Sequence, residues 1–300
     1  MHSDVNIEQF KEPRQMDGAL WTRGRNAILL IGVLAWAASL YGYFTNGDQF
    51  HASYLVGYLY YVSIGWGAMF FVMVQHVTGA AWSVTVRRLM ENMMVTLPVM
   101  ALLFIPVFMG IPNLYEWSRA GAIDAANPNL QFKAVFFSQP FYMIRSVLYL
   151  AVWTVLALVL YRNSVAQDGD GDVTAFRRTQ WWSAPGLVVL MVTVTMAAVD
   201  WVMSLDHHWY STIFGVYVFS GGGLALMAAV TKAALFLRSQ GMLKKSIHLE
   251  HYHDLGKWLF ALTVWWAYIA FSQYMLIWYA DIPEETLFFK HRLEGTWTWV

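Results

Sequence analysis

The sequence predicts an all-α fold, a polytopic bundle of transmembrane helices, on three observations. Hydrophobic residues make up 58% of the chain and charged residues only 13%, where an ordinary soluble domain carries about 25% charged residues. The mean hydropathy is +0.43, and the apolar residues fall in repeated runs of the ~20 residues that cross a bilayer. The chain also holds 16 Trp and 16 Tyr, rings that favour the boundary between headgroups and hydrocarbon. The formal net charge is +0, so nothing in the charge balance points to a nucleic-acid partner. There is no Cys, which excludes disulfides, thiolate iron–sulfur clusters and Cys-bound zinc within the chain.

Residues 1–26 are polar and mixed in charge, and they lack the apolar core of a signal peptide. They read as a cytoplasmic N-terminal tail, and residues 27–300 as the transmembrane domain. Seven full spans are expected. The first covers 27–44. The second, 53–78, is overlong and carries Gly57, Gly65 and Gly67, which allow another helix to approach. The third, 93–111, contains Pro98 and Pro106 as kinks that a membrane bundle absorbs. The fourth covers 141–161 and the fifth 185–203. The sixth, 210–237, contains Gly221-Gly222-Gly223, and the seventh covers 257–280. Thr296-Trp297-Thr298-Trp299-Val300 reads as the start of an eighth span, cut off where the sequence stops.

Lys and Arg in the connections set the orientation. Lys11, Arg14, Arg23, Arg25, Arg87, Arg88, Arg162, Arg177, Arg178, Arg238, Lys244, Lys245 and Lys257 fall on one side; Arg119, Lys133, Lys290 and Arg292 fall on the other. The basic side is therefore expected to be cytoplasmic. The side with Asp48, Glu116, Asp206 and Asp281 then faces the periplasm or exterior. The spaced acids Asp168, Asp170 and Asp172 lack the closing Glu of a calcium loop and read as a flexible, solvated turn.

Ionisable side chains inside spans are costly and are functional candidates by default. Toward the cytoplasmic ends these are His76 and Glu91. Glu91 fits a helix-start charge pairing with Arg87 or Arg88; His76 fits either a packing role or a proton-relay or quinone-contacting one. Lys232 fits snorkelling to the interface. Toward the other ends the density is greater. Arg145 lies one turn into span four and needs an anionic or carbonyl partner. Asp200, Asp206, His207 and His208 cluster at the turn between spans five and six, and Gln273 and Tyr274 occupy the outer half of span seven. Two readings stay open for Arg145 and Asp200: an ion pair that holds the bundle, and a polar site that binds a headgroup or passes protons. Adjacent histidines point different ways, so no metal site is expected. No pair of facing histidines suits haem b either.

Three segments together resemble a known family: Tyr54-Leu55-Val56-Gly57-Tyr58-Leu59-Tyr60 running on to Gln75-His76-Val77-Thr78-Gly79-Ala80-Ala81-Trp82; Arg87-Arg88-Leu89-Met90-Glu91; and Asp200-Trp201-Val202-Met203-Ser204-Leu205-Asp206-His207-His208-Trp209-Tyr210, continuing to Tyr217. Their order and spacing are similar to the second NrfD-like, or polysulfide-reductase-like, membrane subunit of bacterial alternative complex III. This is the ActF type, also called quinone-binding subunit 2 of quinol:cytochrome c oxidoreductase. The resemblance covers the chain beyond its tail. It implies two four-helix bundles, the second incomplete here, in the bacterial inner membrane of a respiratory or photosynthetic electron-transfer system.

The resemblance also implies partners: a sister NrfD-like subunit, an iron–sulfur subunit, c-type cytochrome subunits carrying haem c, and lipid. Quinone or quinol is the implied ligand, with no redox cofactor of the chain's own. Arg145, Asp200, Asp206, His207 and His208, with Gln273 and Tyr274, would form the periplasmic polar or quinone site. His76 and Glu91 would form the cytoplasmic half of a proton path. Readings from other classes are a secondary transporter, for which Gly221–Gly223 hints at an interrupted helix, and a purely structural membrane anchor.

Overall fold

The computed structural model describes residues 18–119, 134–170, 173–290 and 292–293. Most of the N-terminal tail, Lys133 and the segment from Thr296 to Val300 lie outside the described residues. Among the described residues there is no strand, and seven helices are long and apolar enough to cross a membrane. The protein is a multi-pass, all-α membrane bundle.

Helix α1 (Gly18–Thr45) is followed after a single residue by α2 (Gly47–Thr78). Asn46 makes that turn: its side chain accepts from the Gln49 N–H at 3.2 Å and caps α2. At the far end Gly79 adopts φ 62° and its N–H returns to the Gln75 carbonyl, a left-handed stop suited to glycine.

The third span is broken rather than merely kinked. It runs as α3 (Val84–Met94), α4 (Leu97–Leu102) and α5 (Ile105–Met109), then α6 (Ile111–Leu114). Pro98, Pro106 and Pro112 each stand in the first turn of a new segment, where the missing N–H ends the preceding ladder. One backbone carbonyl beside these breaks finds a side-chain donor, since the Tyr54 hydroxyl bonds the Leu103 carbonyl at 2.6 Å. Then follow α7 (Gln139–Asp170), α8 (Val173–Trp201), α9 (Phe214–Ser239), α10 (Leu249–Ala280) and the short α11 (Pro283–Lys290).

Several expected boundaries move outward. Helix α1 begins at Gly18, inside the expected tail. Helix α7 runs on to Asp170 and α8 starts at Val173, so the expected loop between spans four and five is nearly all helix. Nothing between Tyr161 and Asp168 is Gly or Pro, and a helix that has left the hydrocarbon continues until a breaker stops it. Pro185 sits inside α8, not at its start. Asp168, the first of the spaced acids, lies on helix α7, exposed and with its carboxylate 2.5 Å from Arg88, and Asp172 lies outside the described residues. Helix α9 is continuous through Gly221-Gly222-Gly223.

Those glycines serve packing instead. A Cβ on Gly222 would lie 2.7 Å from the Ser63 carbonyl, and one on Gly67 would lie 2.8 Å from the Gly222 carbonyl. Helices α2 and α9 therefore cross backbone to backbone, the small-residue packing that lets membrane helices associate. Helix α2 is the hub: with the broken third span, α7 and α8 it closes a ring of four spans, and α9 lies against α2 and α8. Helix α10 packs on α9, and α1 rests chiefly on α2 with none of its apolar window buried.

Candidate functional site

Two buried polar centres sit at opposite ends of the four-span ring. One end carries the Lys- and Arg-rich connections and is the basic end; the other carries the turn between α8 and α9.

At the turn end, Arg145 of α7 reaches across to Asp200 of α8. Its Nε donates to Asp200 Oδ2 at 2.9 Å and its Nη2 to Oδ1 at 2.8 Å. This is the planar two-point geometry that distinguishes arginine from lysine. Tyr149, one turn further along α7, donates to Asp200 Oδ2 at 2.9 Å. Arg145 Nη2 also donates to the Phe136 carbonyl at 3.1 Å. The guanidinium carbon lies 4.0 and 4.2 Å from the Phe136 and Phe141 ring centroids, so the cation is covered by aromatic faces. Asp200 is 1% exposed. Arg145 Nη1 is buried with no hydrogen-bond partner among the described residues.

A second set of bonds braces the same corner. The Trp201 indole donates to Ser146 Oγ at 2.9 Å. Tyr142 donates to the Tyr115 hydroxyl at 2.9 Å, and Tyr115 donates to the Trp201 carbonyl at 3.0 Å. Burial pushes the Tyr115 phenol above the ordinary phenol range, which keeps it a neutral donor. The Ser204 hydroxyl donates to the Asp200 carbonyl. Inward from this corner, Trp201 joins Trp66, Trp153, Tyr58 and Phe104 in one aromatic core, with Trp201 4.4 Å from Phe104 and 5.6 Å from Trp153.

The rest of the expected cluster divides. His207 is buried beside Phe137 and has Glu116 Oε2 at 4.0 Å, while His208 is exposed. Asp206 caps the turn by accepting from the His208 N–H at 3.2 Å. Asp206 and His207 line a small cavity of about 190 Å³ with Phe136, Phe137, Met203 and Ser204. Gln273 and Tyr274 do not join this group. Helix α10 packs on α9; Gln273 is buried there, and Tyr274 is exposed with its ring 5.2 Å from Phe289. Helix α9, on which α10 packs, lies outside the four-span ring that holds Arg145, so a similar depth in the membrane does not bring these side chains to it.

At the basic end, Glu91 of α3 is also 1% exposed. Ser164 of α7 donates to its Oε1 at 2.8 Å, Arg88 Nη1 lies 2.8 Å from Oε2, and Arg87 Nε lies 3.4 Å from Oε1. Arg88 in turn meets Asp168. His76 stands apart from this set: its Nδ1 lies 2.7 Å from the Val72 carbonyl one turn back, and its ring packs near Phe176. Its neighbour Gln75 donates to Met90 Sδ at 3.2 Å. Lys232 is exposed.

Sequence reasoning missed Tyr115, Tyr142, Tyr149, Ser146 and Ser164, which complete the two centres. Tyr149 and Ser146 fall within one turn of Arg145 on the same helix, and that spacing was the signal available. Among the described residues no group of three His, Asp or Glu side chains stands close enough to hold a metal ion. The chain matches no protein-family model and no curated protein.

Proposed function

We propose that this protein is a membrane subunit of a quinol-oxidising electron-transfer complex, of the second NrfD-like type in alternative complex III. Its first role there is to hold the membrane sector together. The observation that carries the reading is the Arg145–Asp200–Tyr149 set. The Asp200-to-Tyr217 stretch that bears the family resemblance is the one whose first residue clamps two spans at their most polar corner. A clamp of this kind suits a scaffold, because both carboxylate oxygens are already engaged. Arg145 Nη1, which has no partner among the described residues, is the donor left for a quinone oxygen. Partner subunits would supply the iron–sulfur clusters and haem c.

The positive-inside bias supports a bacterial inner membrane placement with the N-terminus in the cytoplasm. In that placement Glu91 and His76 stand at the cytoplasmic end of a proton path. The test is blue-native electrophoresis of solubilised membranes. Co-migration with haem c and iron–sulfur proteins is the expected result. Migration alone, with stabilisation by a particular solute, would instead support a transporter. For the proton path, Glu91→Gln and His76→Ala should each lower proton release per quinol in the reconstituted complex; unchanged release from both removes that role.

A further inference from the structure

The hairpin of α7 and α8 carries an apolar groove, and none of the residues that line it belongs to either polar centre. Its volume is about 350 Å³, within the range of small-molecule sites. Ala151 and Val155 of α7 and Trp182, Pro185 and Val189 of α8 line it, and no lining residue carries a charge. All five are exposed, so the groove opens on the bilayer.

Two arginines extend that face toward the basic end. Residues seven and eleven apart on an α-helix fall within about 20° of one another around the axis. Arg162 is seven residues past Val155 and eleven past Ala151 on α7; Arg178 is seven before Pro185 and eleven before Val189 on α8. Each arginine thus shares the register of its own groove wall, roughly 10 Å further along the axis. Trp182 stands one turn from Arg178, at the level where interfacial rings gather. Both arginines are exposed, and neither side chain has a hydrogen bond or ion pair among the described residues. By contrast Arg87, Arg88 and Arg145 are taken by Glu91, Asp168 and Asp200. Asp168, the carboxylate nearest to Arg162 along α7, is therefore already engaged.

We propose that this face binds one acidic phospholipid, with an acyl chain in the α7–α8 groove and its phosphodiester set against Arg162 and Arg178. Charge complementarity selects the occupant. Guanidinium forks match phosphate oxygens, and each cation near a headgroup adds to the attraction of an anionic lipid. A zwitterionic headgroup would bring an ammonium to two cations with no free carboxylate to receive it. Free phosphate would leave the groove unfilled. The inference is independent of the function proposed above, since it rests on the groove, the register of two arginines and their lack of counter-ions. Phosphatidylglycerol and cardiolipin both present the required chemistry.

The experiment uses the full chain, freed of native lipid in a non-ionic detergent, with native mass spectrometry and thermal-shift titration as readouts. The probes are dioleoyl phosphatidylglycerol, cardiolipin, dioleoyl phosphatidylcholine and inorganic phosphate. One acidic lipid per chain is expected, held about tenfold or more tightly than phosphatidylcholine, and the tighter of the two acidic lipids identifies the natural source. Arg162→Gln and Arg178→Gln should each weaken that binding about fivefold, the worth of one cation beside an anionic headgroup, and leave phosphatidylcholine unaffected. Ala151→Phe, which fills the groove from its α7 wall, should weaken it at least as much. Arg23→Gln with Arg25→Gln removes another exposed basic pair, on α1, which rests chiefly on α2. At physiological salt, where exposed charges beyond about 8 Å are screened, that pair should leave the affinity within about twofold. The proposal is overturned if phosphatidylcholine or inorganic phosphate binds as tightly as the acidic lipids, or if no probe binds. It is also overturned if the Arg162 and Arg178 variants change nothing, or if the α1 pair lowers the affinity as much as they do. Both arginines are exposed, so their variants remain informative should Ala151→Phe not fold.

Discussion

Asp200 and Glu91 are both carboxylates with 1% of their surface exposed, each on a span and each facing arginine, yet they are held in different ways. Asp200 meets a single guanidinium that is itself nearly buried, at 12% exposure, squarely and at two points, with a tyrosine closing the remaining position. Glu91 meets two arginines from its own helix, at three and four residues' distance, and both reach solvent. Arg88 is shared with the exposed Asp168. The difference is one of exchange: partners at 20% and 35% exposure can be replaced by water, whereas those of Asp200 cannot. Burial of a carboxylate alone does not separate a fixed brace from a group able to change partners. The exposure of its counter-ions does.

The largest test of this contrast is Arg145→Met. Removing one member of a buried pair strands the other and should cost about 3–5 kcal/mol, read as loss of thermal stability in detergent. Adding Asp200→Leu should recover most of that loss, because apolar replacements of a buried pair are often neutral. Next comes Tyr149→Phe, which removes one bond to a charged oxygen and should cost about 1.5–3 kcal/mol. Glu91→Gln should cost less, about 1 kcal/mol, since Ser164 still has an amide oxygen to meet and both arginines turn to water. The smallest effect belongs to Asp168→Asn, within about 0.5 kcal/mol, and the difference from wild type should vanish at about 1 M salt, where screening is complete within a few ångströms.

Much of this was legible before any coordinates. Seven spans follow from hydropathy because backbone groups in lipid must be satisfied within the helix, and the seven expected runs are the seven spans observed. The Arg145–Asp200 pair was legible for a similar reason, since an intramembrane guanidinium demands a counter-ion. What was not legible lies in two places. Helix ends outside the hydrocarbon carry no hydropathy signal, so α7 and α8 extend well past their expected limits. Which helices become neighbours is set by packing, so Gln273 and Tyr274 could be assigned a depth and not a place beside Arg145. Tryptophan misleads in the same way. Its abundance suggested interfacial anchors, whereas Trp66, Trp153 and Trp201 fill the core of the four-span ring at 1% exposure or less.

The most direct test of the contrast is a pair of double-mutant cycles, one on Arg145 with Asp200 and one on Arg88 with Asp168, both followed by thermal unfolding at low and high salt. A coupling of about 3 kcal/mol or more, insensitive to salt, is expected for the first pair. A coupling below about 1 kcal/mol that salt removes is expected for the second. Equal couplings, or a salt-sensitive Arg145–Asp200 pair, would show that the exposure of the counter-ions does not separate the two carboxylates.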